Sequence, residues 1–116
     1  TYIRHPLRLM QQMETETERV VAVLHDVVED TAYDLDDIEE EFGSEIRDAV
    51  DAVTKRDGED YEELIDRAAA NPIARTVKIA DLEDNMDITR LDSVDEDLGE
   101  RLAKYHRSWE RLTAIE

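Results

Sequence analysis

The chain is notable first for the residues it lacks. It has no cysteine, three glycines, two prolines, one tryptophan and one phenylalanine in 116 residues. The lack of cysteine excludes disulfides, thiolate catalysis and cysteine-ligated zinc, and it fits a reducing, cytoplasmic location. Few glycines and prolines, with 41% hydrophobic residues, favour a helical globular domain over a disordered one. No run predicts a transmembrane helix or a signal peptide.

Basic residues are also scarce. The 14 lysines and arginines are outnumbered by 32 aspartates and glutamates, and the net charge is −18. Such a surface repels nucleic acid and anionic membranes, so neither is expected as a partner. The acidic residues are spread over every predicted helix and form no tail. This favours a solvated acidic surface over a DNA-mimicking or basic-partner-binding protein, and it makes no prediction of oligomeric state.

Apolar spacing and capping residues predict an all-α, compact multi-helix bundle over 1–116, with no strand, repeat or second domain. The predicted helices run from His5 to Met13, through Val20 to Val28 after a cap at Thr15 or Thr17, from Leu35 to Phe42, from Glu45 to Thr54, from Tyr61 to Ala70, from Pro72 to Met86 and from Glu96 to Ile115. The second helix is apolar on most sides and is expected to be central. Further expectations are N-caps at Asp34 and Ser44, a left-handed C-cap at Gly43 and a connection from Leu91 to Val94. The terminal helix is expected to carry five residues at core spacing: Leu98, Leu102, Tyr105, Trp109 and Leu112.

The run Leu24-His25-Asp26-Val27-Val28-Glu29-Asp30-Thr31 carries a histidine and three carboxylates at the end of this apolar helix. Burying so many ionisable groups beside a core is costly unless a cation or a reaction uses them. Residues four apart on a helix lie one above the other, so His25 is expected beside Glu29, and Asp26 beside Asp30. The run therefore indicates a metal or catalytic site.

A second cluster, Lys78-Ile79-Ala80-Asp81 followed by Asn85, comes after another mostly apolar stretch, and His5 stands at a helix start. Three helices could therefore converge on one divalent ion and supply two imidazoles and two carboxylates. The candidate ligands are His5, His25, Asp26 and Asp81.

A mixed nitrogen and oxygen donor set suits Mn²⁺, Fe²⁺ or a similar ion. Such an ion lowers the pKa of a bound water and polarises a phosphoryl oxygen. Glu29 and Asp30 remain after ligation, and one or both are expected to position the attacking water or relay its proton. His106 lies near no acidic cluster and is expected to be structural or exposed.

These residues resemble the HD-domain phosphohydrolases, and within them the hydrolase domain of the RelA/SpoT family and its small stand-alone relatives. The matching pieces are Tyr2-Ile3-Arg4-His5-Pro6, the run from Leu24 to Thr31, Phe42-Gly43, Val53-Thr54, and Val77-Lys78-Ile79-Ala80-Asp81 with Asn85. The resemblance implies an HD-domain bundle with a metal site between helices, in which one Mn²⁺ is held by His5, His25, Asp26 and Asp81. It also implies that Glu29 and Asp30 act on the nucleophilic water.

The resemblance further implies the substrate and the reaction. The residues matching Lys78 and Asn85 lie on the substrate side of the site in the family, and the implied reaction removes the 3′-pyrophosphate from guanosine tetra- or pentaphosphate. A small nucleotide is therefore the expected partner. Of the few nearby cations, Arg4 is expected to join Lys78 and Asn85 in contacting it.

The chain departs from the family pattern in two places. The basic helix that precedes the Tyr-x-x-His-Pro block in the family is absent from the chain. The family's basic residue after the metal-binding aspartate is replaced by an acidic stretch from Asp81 to Asp87, where a polyanionic substrate is expected to meet added repulsion. Two alternatives remain open: a phosphohydrolase acting on another nucleotide, and a non-catalytic helical binding module without metal or turnover.

Overall fold

A computed structural model describes residues 4–87, 89 and 96–115, and in the first helix it describes side chains from Pro6 onward. Every regular element within these ranges is a helix: α1 (Arg4–Gln12), α2 (Glu16–Asp30), α3 (Leu35–Phe42), α4 (Ser44–Val53), α5 (Tyr61–Ala69), α6 (Pro72–Asn85) and α7 (Leu98–Thr113). The predicted all-α fold class is confirmed. The predicted connection from Leu91 to Val94 lies outside the described residues. None of the helices described is both long and apolar enough to cross a membrane.

Local hydrogen bonds explain where α2 and α3 begin. The Thr15 hydroxyl accepts from the Glu18 backbone N–H, and the Glu18 carboxylate accepts from the Thr15 N–H. This reciprocal capping box makes Thr15, not Thr17, the N-cap. Asp34 and Asp37 form the same arrangement before α3. The predicted N-cap at Asp34 is therefore confirmed.

Gly43 is the single residue between α3 and α4. Its φ of 94° and ψ of 171° lie in a region that is essentially restricted to glycine, not in the predicted left-handed helical region. The Gly43 N–H donates to the Glu39 carbonyl, and the Gly43 carbonyl accepts from the Arg47 N–H. The predicted N-cap at Ser44 is wrong, because Gly43 occupies that position and Ser44 is already helical.

The core consists of two buried clusters. The larger one packs α2 against α1, α4 and α6, and its fully buried side chains include Leu9, Val21, Ile38, Val50 and Val77. This confirms the central position predicted for α2. The smaller cluster joins α5, α6 and α7 through Ile65, Leu82 and Leu112. Trp109 is partly buried and packs against this second cluster, and its Nε1 donates to Glu83 at 2.9 Å.

Replacing Leu112 by alanine is expected to destabilise the chain, because Leu112 is 1% exposed and fastens α7 to α5 and α6. The free energy of unfolding, measured by urea denaturation, should fall by about 2–5 kcal/mol. Ile115→Ala is the matched control, because Ile115 is 37% exposed just beyond the end of α7, and it should change stability by less than about 0.5 kcal/mol. Equal losses in the two variants would contradict this packing of α7.

An ion pair fastens α1 to α6. The Arg8 guanidinium donates from Nε to one oxygen of Asp84 at 2.7 Å and from Nη2 to the other at 3.0 Å. The Asp84 side chain is 3% exposed, and a bidentate pair of this kind fixes direction as well as distance. Because Arg8 lies one turn after His5, this pair positions the start of α1 against the helix that carries Asp81.

A second ion pair holds the loop between α4 and α5. Arg67 donates to both oxygens of Glu59, at 2.6 and 2.8 Å, and to the backbone carbonyls of Asp51 and Thr54, each at 2.6 Å. These bonds add to the capping at the end of α4, where the Asp51 carbonyl also accepts from the Thr54 N–H and carbonyls have no partner four residues further along the helix. The Arg67 guanidinium and the Arg56 backbone N–H lower the pKa of Glu59 from 4.5 to about 2. The loop therefore enters α5 in a fixed orientation.

The Glu59 contribution to stability should depend on pH. A carboxylate whose folded pKa is about 2 stabilises the folded state above its unfolded pKa of 4.5, and this contribution is lost as the pH falls through the folded value. Urea midpoints of the wild type and Glu59→Gln should therefore differ more at about pH 6 than at about pH 3. Exposed Glu45→Gln is the control. An unchanged difference between the wild type and Glu59→Gln at the two pH values would contradict the assignment.

Candidate metal centre

Three potential metal ligands lie together near the end of α2. His25 is 5% exposed, and its Nδ1 lies 3.4 Å from Asp26 Oδ1 while its Nε2 lies 3.6 Å from Glu29 Oε1. One ligand atom from each of the three side chains lies within 4.8 Å of the others. The four-residue spacing of His25 and Glu29 brings them together as the sequence predicts.

The environment of His25 fits a cation. Its Nδ1 is fully buried and has no hydrogen-bond partner among the described residues. A buried nitrogen without a partner is unfavourable, and a ligated cation is one way to satisfy it. Imidazole nitrogen together with carboxylate oxygen is a donor set typical of Mn²⁺, Fe²⁺ and Zn²⁺ sites. The residues present therefore fit a divalent metal ion.

Helix α6 brings a second group of polar side chains to the same place. Lys78 Nζ donates to Asp81 Oδ2 at 2.9 Å, and both side chains are 8% exposed. This bond orients the Asp81 carboxylate beside the end of α2. The two helices line one cavity of about 300 Å³. Its lining residues are His25, Asp26, Glu29, Val53, Tyr61, Leu64, Lys78, Asp81, Asn85 and Tyr105.

The cavity carries an excess of negative charge around Glu29. Burial raises the pKa of Glu29, the His25 ring partly counteracts the rise, and the Asp26 and Asp81 carboxylates raise it further. Burial alone would lower the pKa of Lys78, but the nearby Asp81 carboxylate leaves it above its ordinary value. Lys78 therefore stays charged. A divalent cation would relieve the repulsion among the three carboxylates.

The predicted site residues fall into three groups. His25, Asp26, Glu29, Lys78, Asp81 and Asn85 line the shared cavity. Asp30 is exposed at the end of α2 and is not among the lining residues. The side chains of Arg4 and His5 lie outside the described residues, although the backbone of both belongs to the first turn of α1. His106 is 58% exposed and pairs with Glu110, as expected for a residue remote from the site.

Two aromatic residues in the cavity wall were not predicted as site residues. Tyr61 is the first residue of α5, and Tyr105 belongs to the α7 face that the sequence assigned to the core. Their rings lie 6.3 Å apart, and the Lys104 ammonium lies 4.5 Å from the centre of the Tyr61 ring. Tyr61 stands between Asp60 and Glu62, and Tyr105 precedes His106, but none of these neighbours lines the cavity. Only the tertiary packing of α5 and α7 therefore reveals the two tyrosines.

The acidic stretch after Asp81 is expected from the sequence to repel a polyanionic substrate, but two of its carboxylates point away from the cavity. Asp84 is buried against Arg8, and Glu83 accepts a hydrogen bond from Trp109. Neither carboxylate lines the cavity. The helix therefore directs these two carboxylates to other partners, and the expected repulsion of a polyanionic substrate stays a prediction.

Comparison with known proteins shows sequence similarity to proteins named as GTP pyrophosphokinases or as guanosine-3′,5′-bis(diphosphate) 3′-pyrophosphohydrolases. No protein-family model matches the chain. The chain is 39% identical over 98 residues to a probable GTP pyrophosphokinase of Mycobacterium leprae, which covers 73% of this chain and 12% of that protein. It is 32% identical over an alignment of 118 positions to the guanosine-3′,5′-bis(diphosphate) 3′-pyrophosphohydrolase of Haemophilus influenzae. This alignment covers 89% of this chain and 17% of that protein. It is 36% identical over 91 residues to the mouse guanosine-3′,5′-bis(diphosphate) 3′-pyrophosphohydrolase MESH1. This alignment covers 69% of this chain and 51% of the mouse protein. The chain thus spans about half of the mouse protein and less than a fifth of either bacterial one.

The fold is also that of a solved structure. A metazoan ortholog of SpoT, described as hydrolysing ppGpp, superposes with a TM-score of 0.76 at 23% sequence identity. The superposition covers 99% of this chain and 73% of the other. The shared fold is the HD-domain hydrolase fold. The resemblance drawn from the sequence motifs is confirmed by the named relatives and by this fold.

Proposed function

We propose that this chain, which has the HD-domain hydrolase fold and is similar to proteins named as (p)ppGpp 3′-pyrophosphohydrolases, is a metal-dependent phosphohydrolase that removes the 3′-pyrophosphate from guanosine tetra- or pentaphosphate. The observation that carries the proposal is the cavity where buried His25 meets Asp26, Glu29 and the Lys78–Asp81 pair. Within the described part of the chain, the Nδ1 atom of His25 forms no hydrogen bond. Residues 1–116 are proposed to act as a single domain.

The proposed metal ligands are His25 and Asp26 from α2, Asp81 from α6, and His5 from the start of α1. The Arg8–Asp84 ion pair supports the inclusion of His5, because it holds α1 against α6. Mn²⁺ is the proposed ion because the family resemblance implies it, and a donor set of imidazole nitrogens and carboxylate oxygens without sulfur suits it. When bound, the ion lowers the pKa of a water and polarises a phosphoryl oxygen.

The chain's own side chains handle the proton and the substrate charge. Glu29 is proposed to take a proton from the attacking water, and the raised pKa of this carboxylate suits it to that role. The water oxygen forms a bond to the phosphorus on the ribose 3′-oxygen as the bond between that phosphorus and the 3′-oxygen breaks. The 3′-oxygen takes up a proton, and GDP and pyrophosphate result when the substrate is the tetraphosphate. The Lys78 ammonium, buried and charged, is proposed to neutralise charge on the phosphoryl oxygens.

The remaining roles are proposed at the cavity edge. Asn85 lines the cavity one turn beyond Asp81 and is proposed to contact the nucleotide, together with Arg4 from α1. Asp30 is proposed to assist Glu29 in positioning the water, although it lies at the exposed end of α2. The expected partner is the nucleotide, and the expected location is the cytoplasm. Nucleic acid and membranes remain unexpected partners for a chain of net charge −18.

A substrate comparison tests this proposal. The purified chain, saturated with Mn²⁺, is incubated separately with guanosine tetraphosphate, GTP and a phosphate monoester, and initial rates are measured with and without a chelator. Chelator-sensitive turnover of the tetraphosphate well above the other two is expected. Faster turnover of the monoester would favour a phosphohydrolase for another substrate, and no Mn²⁺ binding with no turnover would favour a non-catalytic binding module.

A further inference from the structure

A basic hollow lies along α7 and is called the α7 hollow below. It has a volume of about 440 Å³, and its lining residues within the described part of the chain are Glu100, Arg101, Ala103, Lys104 and Arg107. Three of these side chains are basic, although acidic residues outnumber basic ones by 32 to 14 in the chain. The three basic residues follow one another at intervals of three, so they share one face of the helix. Such a concentration of positive charge suits an anionic ligand.

Two of the basic side chains in the α7 hollow are not neutralised by carboxylates. Basic side chains elsewhere pair with acidic ones, as Arg67 does with Glu59 between α4 and α5. Within the described ranges, no ion pair involves Lys104 or Arg107. Glu100 lines the same hollow, but it pairs with neither of them in the described structure. In so acidic a chain, these two cations keep their charge available for a ligand.

Lys104 connects the α7 hollow to the metal cavity. Its ammonium group lies 4.5 Å from the centre of the Tyr61 ring and 5.3 Å from the centre of the Tyr105 ring. Both tyrosines line the metal cavity. The Lys78 ammonium, which belongs to that cavity, lies 5.3 Å from the centre of the same Tyr61 ring. Cation–π contacts of this kind are attractive and help to hold both ammonium groups in place. Lys78 and Lys104 therefore flank one side chain, the first in the metal cavity and the second in the α7 hollow.

The proposed substrate carries anionic groups at two positions of one ribose. Guanosine tetraphosphate has one pyrophosphate on the 3′-oxygen and another on the 5′-oxygen. When the 3′-pyrophosphate lies beside Lys78, as proposed above, the 5′-pyrophosphate has to lie within the reach of one nucleoside. Lys104 contacts the same tyrosine ring as Lys78, and Arg107 follows it by about one turn of α7. The α7 hollow is therefore close enough to receive the second pyrophosphate.

We infer that the α7 hollow binds the 5′-phosphates of the substrate, with Lys104 and Arg107 as the contacting cations. This inference rests on the proposed function of the metal cavity. The 5′-phosphates take no part in the bond that breaks, so their contacts stabilise the bound substrate and the transition state equally. Uniform binding of that kind lowers KM without raising kcat. The α7 hollow therefore gives the chain a preference for nucleotides that carry more 5′-phosphates.

Three substrates that share the 3′-pyrophosphate and differ at the 5′ end test the inference. They are guanosine 5′-monophosphate 3′-diphosphate, guanosine tetraphosphate and guanosine pentaphosphate. With Mn²⁺ present, Lys104→Gln and Arg107→Gln should each raise KM for the tetra- and pentaphosphate about 2- to 5-fold with little change in kcat, because one partly exposed charge contact is lost. The KM for the 5′-monophosphate compound should rise less.

Two features of the design exclude a loss of folding as the cause. Arg107 is exposed, so Arg107→Gln should keep the wild-type melting temperature. Arg19→Gln is the matched control, because it also removes one exposed positive charge, near the start of α2 and at the opposite end of that helix from Glu29. The KM of this control should equal that of the wild type for all three substrates.

The outcomes separate this inference from the proposed function. An equal rise in KM for all three substrates, or an unchanged KM in both variants, overturns the inference and leaves the proposed function intact. A wild type that turns over none of the three contradicts the proposed function, and the dissociation constants of GDP and guanosine for the Mn²⁺-loaded chain, measured by calorimetry, then decide. Weaker binding of GDP but not of guanosine by both variants supports a 5′-phosphate site even then. Unchanged GDP affinity, equal losses for GDP and guanosine, or no GDP binding by the wild type overturns it.

Discussion

Replacing His25 by alanine is expected to abolish both Mn²⁺ binding and hydrolysis. The substitution removes the buried imidazole at the centre of the cluster formed with Asp26 and Glu29. Loss of a direct ligand should cost more than the roughly 10- to 100-fold in metal affinity that is typical for residues that only support ligands. The melting temperature of the wild type should rise with added Mn²⁺, since a ligand that binds only the folded state stabilises it. His25→Ala should show no such rise.

Two further variants make this result specific. Asp26→Asn keeps the side-chain shape and removes the charge, so it should also lose Mn²⁺ binding without the cavity that an alanine at His25 creates. His106→Ala is the matched histidine control, because His106 is exposed on α7 and contacts Glu110 and the Trp109 ring, none of which lines the cavity. This variant should keep the Mn²⁺-induced rise in melting temperature and the wild-type rate of hydrolysis. Full hydrolysis by a folded His25→Ala variant would overturn the proposed metal site.

Replacing Glu29 by glutamine is expected to lower kcat by about 100-fold or more while Mn²⁺ remains bound. The amide has nearly the same shape as the carboxylate but cannot take a proton from water. The position of Glu29, 3.6 Å from His25 Nε2 and partly exposed at the cavity edge, agrees with a group that acts on a water. Single-turnover rates measure the loss of the chemical step, and the Mn²⁺-induced rise in melting temperature shows whether Mn²⁺ still binds.

The Glu29 variant also tests whether this carboxylate is a ligand. The ligand atoms of Glu29, His25 and Asp26 lie close enough to share an ion, and loss of Mn²⁺ binding in Glu29→Gln would make Glu29 a ligand in place of its proposed role. Glu45→Gln is the matched control, because Glu45 is exposed in the first turn of α4. A wild-type rate in Glu29→Gln would remove Glu29 from the mechanism.

The parts of this structure that follow from the sequence depend on short-range spacing. The contact between His25 and Glu29 and that between Lys78 and Asp81 are set by the helical repeat. The reciprocal cap at Asp34 likewise involves only a neighbour three residues away. The prediction at Ser44 was wrong because two helices share one glycine there, and capping preferences for separate helices do not apply.

The parts that the sequence did not reveal depend on contacts between distant segments. Arg8 and Asp84 are 76 positions apart, and their pairing gives a residue expected to repel the substrate a role in anchoring α1. Tyr61 and Tyr105 become cavity residues only because α5 and α7 pack beside α6. The contact of Lys104 with the Tyr61 ring could not be inferred from spacing, since apolar periodicity reports which face of a helix is buried and not which residues of another helix it meets.

The central claim is that this cavity cleaves a 3′-pyrophosphate with the help of a divalent metal ion. The most direct test is separation of the products by ion-exchange chromatography after incubation of the purified chain with Mn²⁺ and guanosine tetraphosphate. We predict GDP and pyrophosphate in equal amounts, and neither when a chelator is present. Release of orthophosphate in place of pyrophosphate, or undiminished turnover with the chelator, would contradict the account.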